Sequence, residues 1–411
     1  MNKRLAQLLI IVSICVLFLL THKTIETNHI NRIDNLSETN IINSRQVSYR
    51  QLFLECWGDI KNYYYAADLN NQNWAKWKKR YSNQIKTQED AYIAINTILA
   101  SLDDSYSKFL SKEEFQEQNS AINSKLYGIG INIASIAGKI VIVNVVENAP
   151  AQNADIRMGD IILKINNADI NGNSIYEVTK LIRGNINETL TLEILRGNEK
   201  ITKTLKRQEI KIKTIETKKL TKDIAYIRIT SFISRDTLQD FVVALNKYPD
   251  TKGLIIDLRG NSGGLFQNAV VISNLFLKKG TIVNVVARKG KKNIYTAKNE
   301  GCIYEKPIVV LTDSNTASSA EILASALKDN NRAVLVGTRT YGKGLVQKVF
   351  SLPNRTGMNL TIAKYLTPNG ADINKNGIKP DFTVNLNHDN LMNNTDSQLE
   401  FAKNYLEKIL R

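Results

Sequence analysis

The sequence predicts a multidomain α+β / α/β protein: a mixed-sheet core with strand–loop–helix units, a β-rich insertion ahead of it, and an N-terminal helical domain. Three observations predict it. Two apolar runs, Gly253–Leu258 and Ile308–Leu311, each end in a glycine-rich or polar loop and then a helical pattern, as parallel strands buried on both faces do. From Tyr49 to about Gln118, apolar side chains recur at mixed three- and four-residue spacing, the period of a helix. Between 123 and 206, short apolar runs are punctuated by glycines.

Composition sets the limits. A chain of 411 residues has room for two or three domains, and 43% hydrophobic with 23% charged residues fits globular domains with full cores. The net charge of +16 reads as diffuse, with no basic run interleaved with aromatics. That argues against a nucleic-acid partner, which needs a clustered footprint, and leaves a weak attraction to anionic lipid. Lys3 and Arg4 precede the apolar run Leu5–Leu20, and no small-x-small cleavage site follows it. Residues 1–22 therefore read as a signal anchor in preference to a removed signal peptide, and 23–47 as a tether. The expected location is the bacterial cell envelope, anchored to the inner membrane or periplasmic, with a membrane partner through the N-terminal segment. Cys15, Cys56 and Cys302 do not make a disulfide framework.

In chain order, residues 48–122 form the helical domain. Leu52, Leu54, Cys56, Trp57, Ile60 and Tyr64 supply its apolar positions, Ala91–Leu102 a second helix, and Trp74, Trp77 and Tyr81 pack it. Asp103 and Asp104 read as a helix-ending turn and the next cap, because neighbouring residues do not converge on one site. In residues 123–206, Tyr127-Gly-Ile-Gly-Ile-Asn-Ile133 leads into a strand, Ile140–Val146 is a second strand, Val178–Ile182 a helix and Leu190–Leu195 the last strand. With Glu147-Asn-Ala-Pro and the Gly159-Asp160 turn between them, this ordered set resembles a PDZ domain. The resemblance implies that backbone N–H groups around Gly128, Ile129 and Gly130 hold a chain-terminal carboxylate and that the sheet edge accepts the peptide as an added strand.

The core (207–385) resumes with strand Ile224–Ile229 and helix Thr237–Leu245. Strand Gly253–Leu258 runs into Arg259-Gly-Asn-Ser-Gly-Gly264 and helix Leu265–Phe276. The second unit passes from Ile308–Leu311 through Thr312–Thr316 to a helix from Ala317, with Ile322, Leu323 and Ala326 on one face and Glu321 in the first turn. Ser318 stands where the helix leaves its first N–H groups unpaired. It is either a cap or a nucleophile beside ready-made anion donors. Ala333–Val336 then leads to glycine-flanked Lys343, and Gln347 lies on the following strand. The loop Gly337–Gly344 nearly matches a phosphate-binding motif, but Gly344 replaces its Ser/Thr and a strand replaces its helix. Of three histidines, His22 and His29 adjoin the apolar segment and His388 lies in an Asn-rich tail, so a serine triad has no obvious base. Lysine remains by elimination, against the alternative of a surface lysine in a glycine turn.

Asn315-Thr-Ala-Ser-Ser-Ala-Glu321 and Thr340-Tyr-Gly-Lys-Gly-Leu-Val-Gln347 resemble the C-terminal processing (tail-specific) serine peptidases. Leu102-Asp-Asp-Ser105, Asp257-Leu-Arg-Gly-Asn-Ser-Gly-Gly264 and the Thr367-Pro-Asn-Gly and Gly377-Ile-Lys-Pro-Asp phrases extend the match over about 50–385. The resemblance implies a protease core in which Ser318 is the nucleophile, Lys343 its base and Gln347 a residue that helps hold the lysine. The oxyanion hole falls to the N–H groups of Gly264 and Ser319, with Gly263 as neighbour, and Asp257 and Arg259 brace that turn. Ala371 departs from the family, which often has Arg there. As a base, lysine must be neutral, and a free lysine is so in only about one molecule in two thousand at pH 7; Lys343 is therefore expected in water-poor surroundings. The implied activity is an exported serine endopeptidase that captures accessible protein C-termini and cuts through an acyl-enzyme, with no cofactor and no metal. The alternative in another class is a PDZ scaffold with an inactive core. The tail helix Gln398–Leu410 within 386–411 packs on the core or on a second subunit; a homodimer and an adaptor protein stay open.

Overall fold

The computed structural model describes residues 43–122, 125–136, 138–146, 148–173, 175–211, 213–385 and 395–411. The apolar segment Leu5–Leu20, His22, His29, His388 and most of the tether lie outside the described residues. The chain forms two compact units, Met1–Phe115 with Val346–Ala363, and Gln116–Leu345 with Lys364–Arg411.

In the first unit each helix starts at a side-chain cap. Ser48 opens α1 (Tyr49–Tyr63), Asn73 opens α2 (Trp74–Tyr81), and Thr87 opens α3 (Gln88–Ala100) with a capping box to Asp90. Such caps stabilise a helix by about 1 kcal/mol. Leu52, Phe53, Cys56, Ile60, Ala91, Ala94, Ile95 and Ile98 are fully buried, as their spacing predicts. Trp57 and Trp74 donate their indole N–H groups to each other's carbonyls at 2.9 and 3.0 Å. Asp103, at φ 53°, ends the turn after α3, and Asp104 accepts from Tyr106 N–H and the Ser107 hydroxyl, a turn and a cap. β1 (Lys108–Leu110) pairs antiparallel with Gly357–Asn359, and Leu352, Met358 and Leu360 complete this core. One expectation is corrected here. Trp74–Tyr81 is a basic run interleaved with aromatics; at helical period its rings turn inward and its lysines outward, so the charge is clustered rather than diffuse.

After α4 (Lys112–Ile122) and β2 (Lys125–Gly128), the insertion folds as β3 (Ile131–Ile136), β4 (Lys139–Val145), α5 (Pro150–Asn153), β5 (Ile161–Ile165), β6 (Ala168–Asp169), α6 (Ile175–Ile182), β7 (Thr189–Arg196) and β8 (Glu199–Lys206). Its sheet runs β3-β4-β5-β7-β8, with β6 beside β5. Leu190–Leu195 is therefore not the last strand: Gly197, at φ 60°, turns the chain into β8, which pairs along all of β7. The Lys/Thr-rich sequence of β8 lies mostly on the surface, which hides it from a reading of apolar runs. β9 (Gln208–Lys211) pairs with β2 and brings the insertion back to its starting point.

The core follows as β10 (Ile215–Lys219), β11 (Ile224–Ile229), α7 (Thr237–Leu245), β12 (Gly253–Asp257), α8 (Phe266–Asn274), β13 (Thr281–Ala287), β14 (Lys292–Thr296), β15 (Ile308–Thr312), α9 (Ser319–Asp329), β16 (Val334–Gly337), β17 (Leu345–Ser351), β18 (Gly357–Leu366), β19 (Phe382–Thr383) and α10 (Ser397–Ile409). The sheet order is β10-β11-β12-β15-β16-β19, parallel from β11 onward. β12 and β15 are buried at every residue, which explains their unbroken apolar sequence. Ala402 and Leu406 of α10 are fully buried against Tyr226, Ile255, Val309 and Val336, so the tail helix packs on the core.

Candidate active site

Three neighbouring parallel strands, β12, β15 and β16, deliver their loops to the same sheet edge, where open parallel sheets bind ligands. The loop after β12 carries Gly263 and Gly264, the loop after β15 carries Ser318, and the loop after β16 carries Lys343. They are stitched together. Ala317 N–H donates to Asn261 O at 2.9 Å, the Thr316 hydroxyl to Leu258 O at 2.9 Å, and Tyr341 N–H to Thr316 O at 3.0 Å.

Ser318 sits at φ 56°, ψ −120°. A non-glycine residue there stores of order 1–3 kcal/mol and persists only where its surroundings hold it. The main holder is Glu321, which is fully buried. Its Oε1 accepts from the Thr340 hydroxyl at 2.6 Å and Gly342 N–H at 2.7 Å; its Oε2 accepts from Ser318 N–H at 2.8 Å and Lys343 N–H at 2.9 Å. Two nitrogens sharing one oxygen at these lengths are within about 6 Å of each other. Burial pushes the Glu321 carboxyl up from its ordinary range, and these four donors oppose the rise. Tyr365 adds a second clamp: its hydroxyl donates to Ser318 O at 3.0 Å and its N–H to Gly344 O at 2.9 Å. Lys343 is half-buried, between buried Gly342, Gly344 and Leu345. Gln347 belongs to the first unit, where its amide donates to the Thr361 hydroxyl at 3.2 Å.

Gly263, at φ 97°, has no room for a side chain: a Cβ would lie 2.8 Å from Ser318 Cβ and 3.0 Å from Ser319 N. Its N–H donates to Asn261 Oδ1 at 2.8 Å. Among the described residues, the N–H groups of Gly264 and Ser319 donate to no protein acceptor, and the Ser319 hydroxyl ties the two loops by donating to Gly264 O at 3.0 Å. Asp257 and Arg259 brace the turn as expected. Arg259 bonds Asp257 and, from α10, Asp396 and Gln398. Burial works against its charge, but the two carboxylates more than offset this and hold it up.

In the insertion, β3 is an edge strand, paired among the described residues with β4 alone. Ile129 is fully buried, Gly130 has φ 78°, and their carbonyls accept from Ala151 and Val146 N–H. The N–H groups of Ile129 and Gly130 donate to no acceptor among the described residues; Gly128 ends β2.

The sequence reading placed Glu321 only in a first turn and missed Tyr365 and Thr340. A carboxylate three residues after the helix-start serine was the available signal for Glu321. Nothing local marked Tyr365, whose partners are 47 and 21 residues away. Cys56 and Cys302 are free thiols. Among the described residues, no His/Cys/Asp/Glu cluster could hold a metal, and no helix is long and apolar enough to cross a membrane.

Comparison with known proteins adds to the geometry. The model of peptidase family S41 matches residues 223–384, a PDZ-domain model matches 128–206, and a tricorn protease C1 domain model matches 46–92. The carboxyl-terminal-processing protease of Synechocystis sp. is 35% identical, over 82% of this chain and 81% of its own length. The enzyme of the same name from Picosynechococcus sp. is 34% identical, over 82% and 83%. Among solved structures, the photosystem II D1 C-terminal processing protease superposes with a TM-score of 0.59 at 29% identity, covering 82% of this chain and 94% of that one.

Proposed function

The chain belongs to peptidase family S41, among its carboxyl-terminal-processing serine proteases with a PDZ domain, and on that premise we propose that Ser318 and Lys343 form its catalytic dyad. The Lys343 amine takes the proton as Ser318 Oγ attacks the scissile carbonyl. The N–H groups of Gly264 and Ser319 receive the oxyanion, beside Gly263. Lys343 returns the proton to the leaving amine, and water hydrolyses the acyl-enzyme. The resemblance gives Gln347 the task of holding the lysine. Protein tails are captured at Gly128, Ile129 and Gly130 and along the β3 edge. The enzyme works outside the cytoplasm, held to a membrane by Leu5–Leu20.

The observation that supports this best is the single Glu321 oxygen shared by the backbones of Ser318 and Lys343. The test is cleavage of an exported protein's tail, with new C-termini read by mass spectrometry. Ser318→Ala and Lys343→Arg should both abolish it, since arginine keeps the charge but cannot deprotonate. A Lys343→Arg enzyme that cleaves near the parent rate sinks the dyad.

A further inference from the structure

The first unit carries a cluster of cations on which the proposed catalysis makes no demand. Lys76, Lys79 and Arg80 project from the outer side of α2, Lys78 flanks them, and Arg50 and Lys61 stand beside them on α1; all six are exposed. Arg50 donates to the carbonyl of Ser82, which caps α2, so the two helices form one surface. None of the six has an ion-pair partner among the described residues, whereas Arg45, also in this unit, is paired with Glu55. Cations in a last helical turn suit the helix dipole. That accounts for Lys61 in α1 and for Lys78, Lys79 and Arg80 in α2, but not for Arg50 or Lys76.

We propose that this face of α1 and α2 docks on an anionic phospholipid surface through its headgroup phosphates. Two observations choose that partner. The first is what the aromatic rings do. Trp74 is buried, Trp57 and Trp74 have their indole N–H groups bonded to each other's carbonyls, and Trp77 is stacked on Tyr81 at an interplanar angle of 2°. Lys61 and Lys78 lie over the Trp57 ring, and Arg80 over Trp77 and Tyr81. The rings among the lysines of α2 are thus not presented for bases to stack on, as a single-stranded nucleic acid would require; the exposed rings of α1, Tyr49 and Tyr63, stand at its two ends, and Tyr63 packs against Phe350. The second is chain length. α1 begins 29 residues after Leu20, so even a fully extended chain keeps this face within about 100 Å of the apolar segment. The inference rests on the proposal that Leu5–Leu20 holds the chain at a membrane. Cations at an anionic surface each strengthen binding by about fivefold at low salt.

The test uses the full chain with vesicles of phosphatidylcholine alone or mixed with phosphatidylglycerol. A water-soluble amine-acylating reagent labels the lysines, and mass spectrometry reads them against exposed Lys222. Lys61, Lys76, Lys78 and Lys79 should be protected several-fold on the anionic vesicles only, and the protection should vanish in about 0.5 M salt. In the K76E/K79E variant, protection of Lys61 and Lys78 should be lost, while cleavage of soluble tails stays at the parent rate. Equal labelling on both vesicle types overturns the proposal. So does protection by single-stranded RNA without protection by vesicles. Sedimentation with neutral vesicles reports the anchor separately, so an anchor that fails is told apart from a face that does not dock.

Discussion

Replacing Glu321 by Gln tests how the two loops that carry Ser318 and Lys343 are held. The carboxylate accepts four hydrogen bonds, two at each oxygen. An amide keeps one of those oxygens and turns an NH2 toward the other pair of donors. Two donors then lose their acceptor and face another N–H group. A buried donor left unmet costs about 1–3 kcal/mol, so the substitution removes about 2–6 kcal/mol from this arrangement. The charge of Glu321 is itself costly to bury, and its removal offsets part of that loss. A net of about 3 kcal/mol against the aligned loops corresponds to roughly a hundredfold fall in kcat. The assay is steady-state cleavage of an unstructured protein tail, with a urea titration for stability. Both kcat and the urea midpoint should fall, while KM, which the proposal assigns mainly to tail capture, should move little. A Gln variant with the parent kcat and midpoint would refute the account of Glu321 as the shared clamp.

Other outcomes follow from the same structure. Gly263→Ala places a Cβ 2.8 Å from Ser318 Cβ, and kcat should drop by about a hundred- to a thousandfold in the same cleavage assay. Gly130→Ala puts its Cβ 2.2 Å from Ala149 Cβ; binding of C-terminal peptides, measured by calorimetry, should weaken at least about tenfold. Asp59 is raised to about 6, first by burial and then by Glu55, with Lys348 opposing. Stability from such a group is complete below the unfolded value of 3.8 and is lost as pH rises through 6. Asp59→Asn should therefore stabilise its unit by about 1 kcal/mol at pH 7, after discount for partial exposure, and change little near pH 4, as urea midpoints at the two pH values will show. Asp396 has the opposite sign. Burial pushes its carboxyl up, but the bonds from Arg259 and Leu399 N–H hold it below 3.8. Its contribution is present above 3.8 and is lost as pH falls further, so the Leu399 amide at the start of α10 should exchange faster in acid.

Much of the core could be read from the chain because its signals are local. The apolar runs of β12 and β15 carry no polar alternation since both faces are covered. The strand-end loops drew attention to Ser318 and Lys343, and the family resemblance gave them, with Gly263 and Gly264, their expected roles. Glu321 and Tyr365 could not be given their tasks, because these depend on partners that only tertiary folding brings near. β8 escaped because its apolar positions are few, and the basic face of α2 because a linear reading of Trp74–Tyr81 does not separate inward from outward side chains.

The placement of Glu321 has a consequence for control. A latch that gripped only the serine, or only the lysine, would let one half of the proposed dyad be withdrawn while the other stayed cocked. Here one buried oxygen grips both backbones, so a displacement of either loop strains the other. Partial disarming is the expensive route for this enzyme. On the proposed dyad, control through the supply of polypeptide ends costs less than taking the two loops apart.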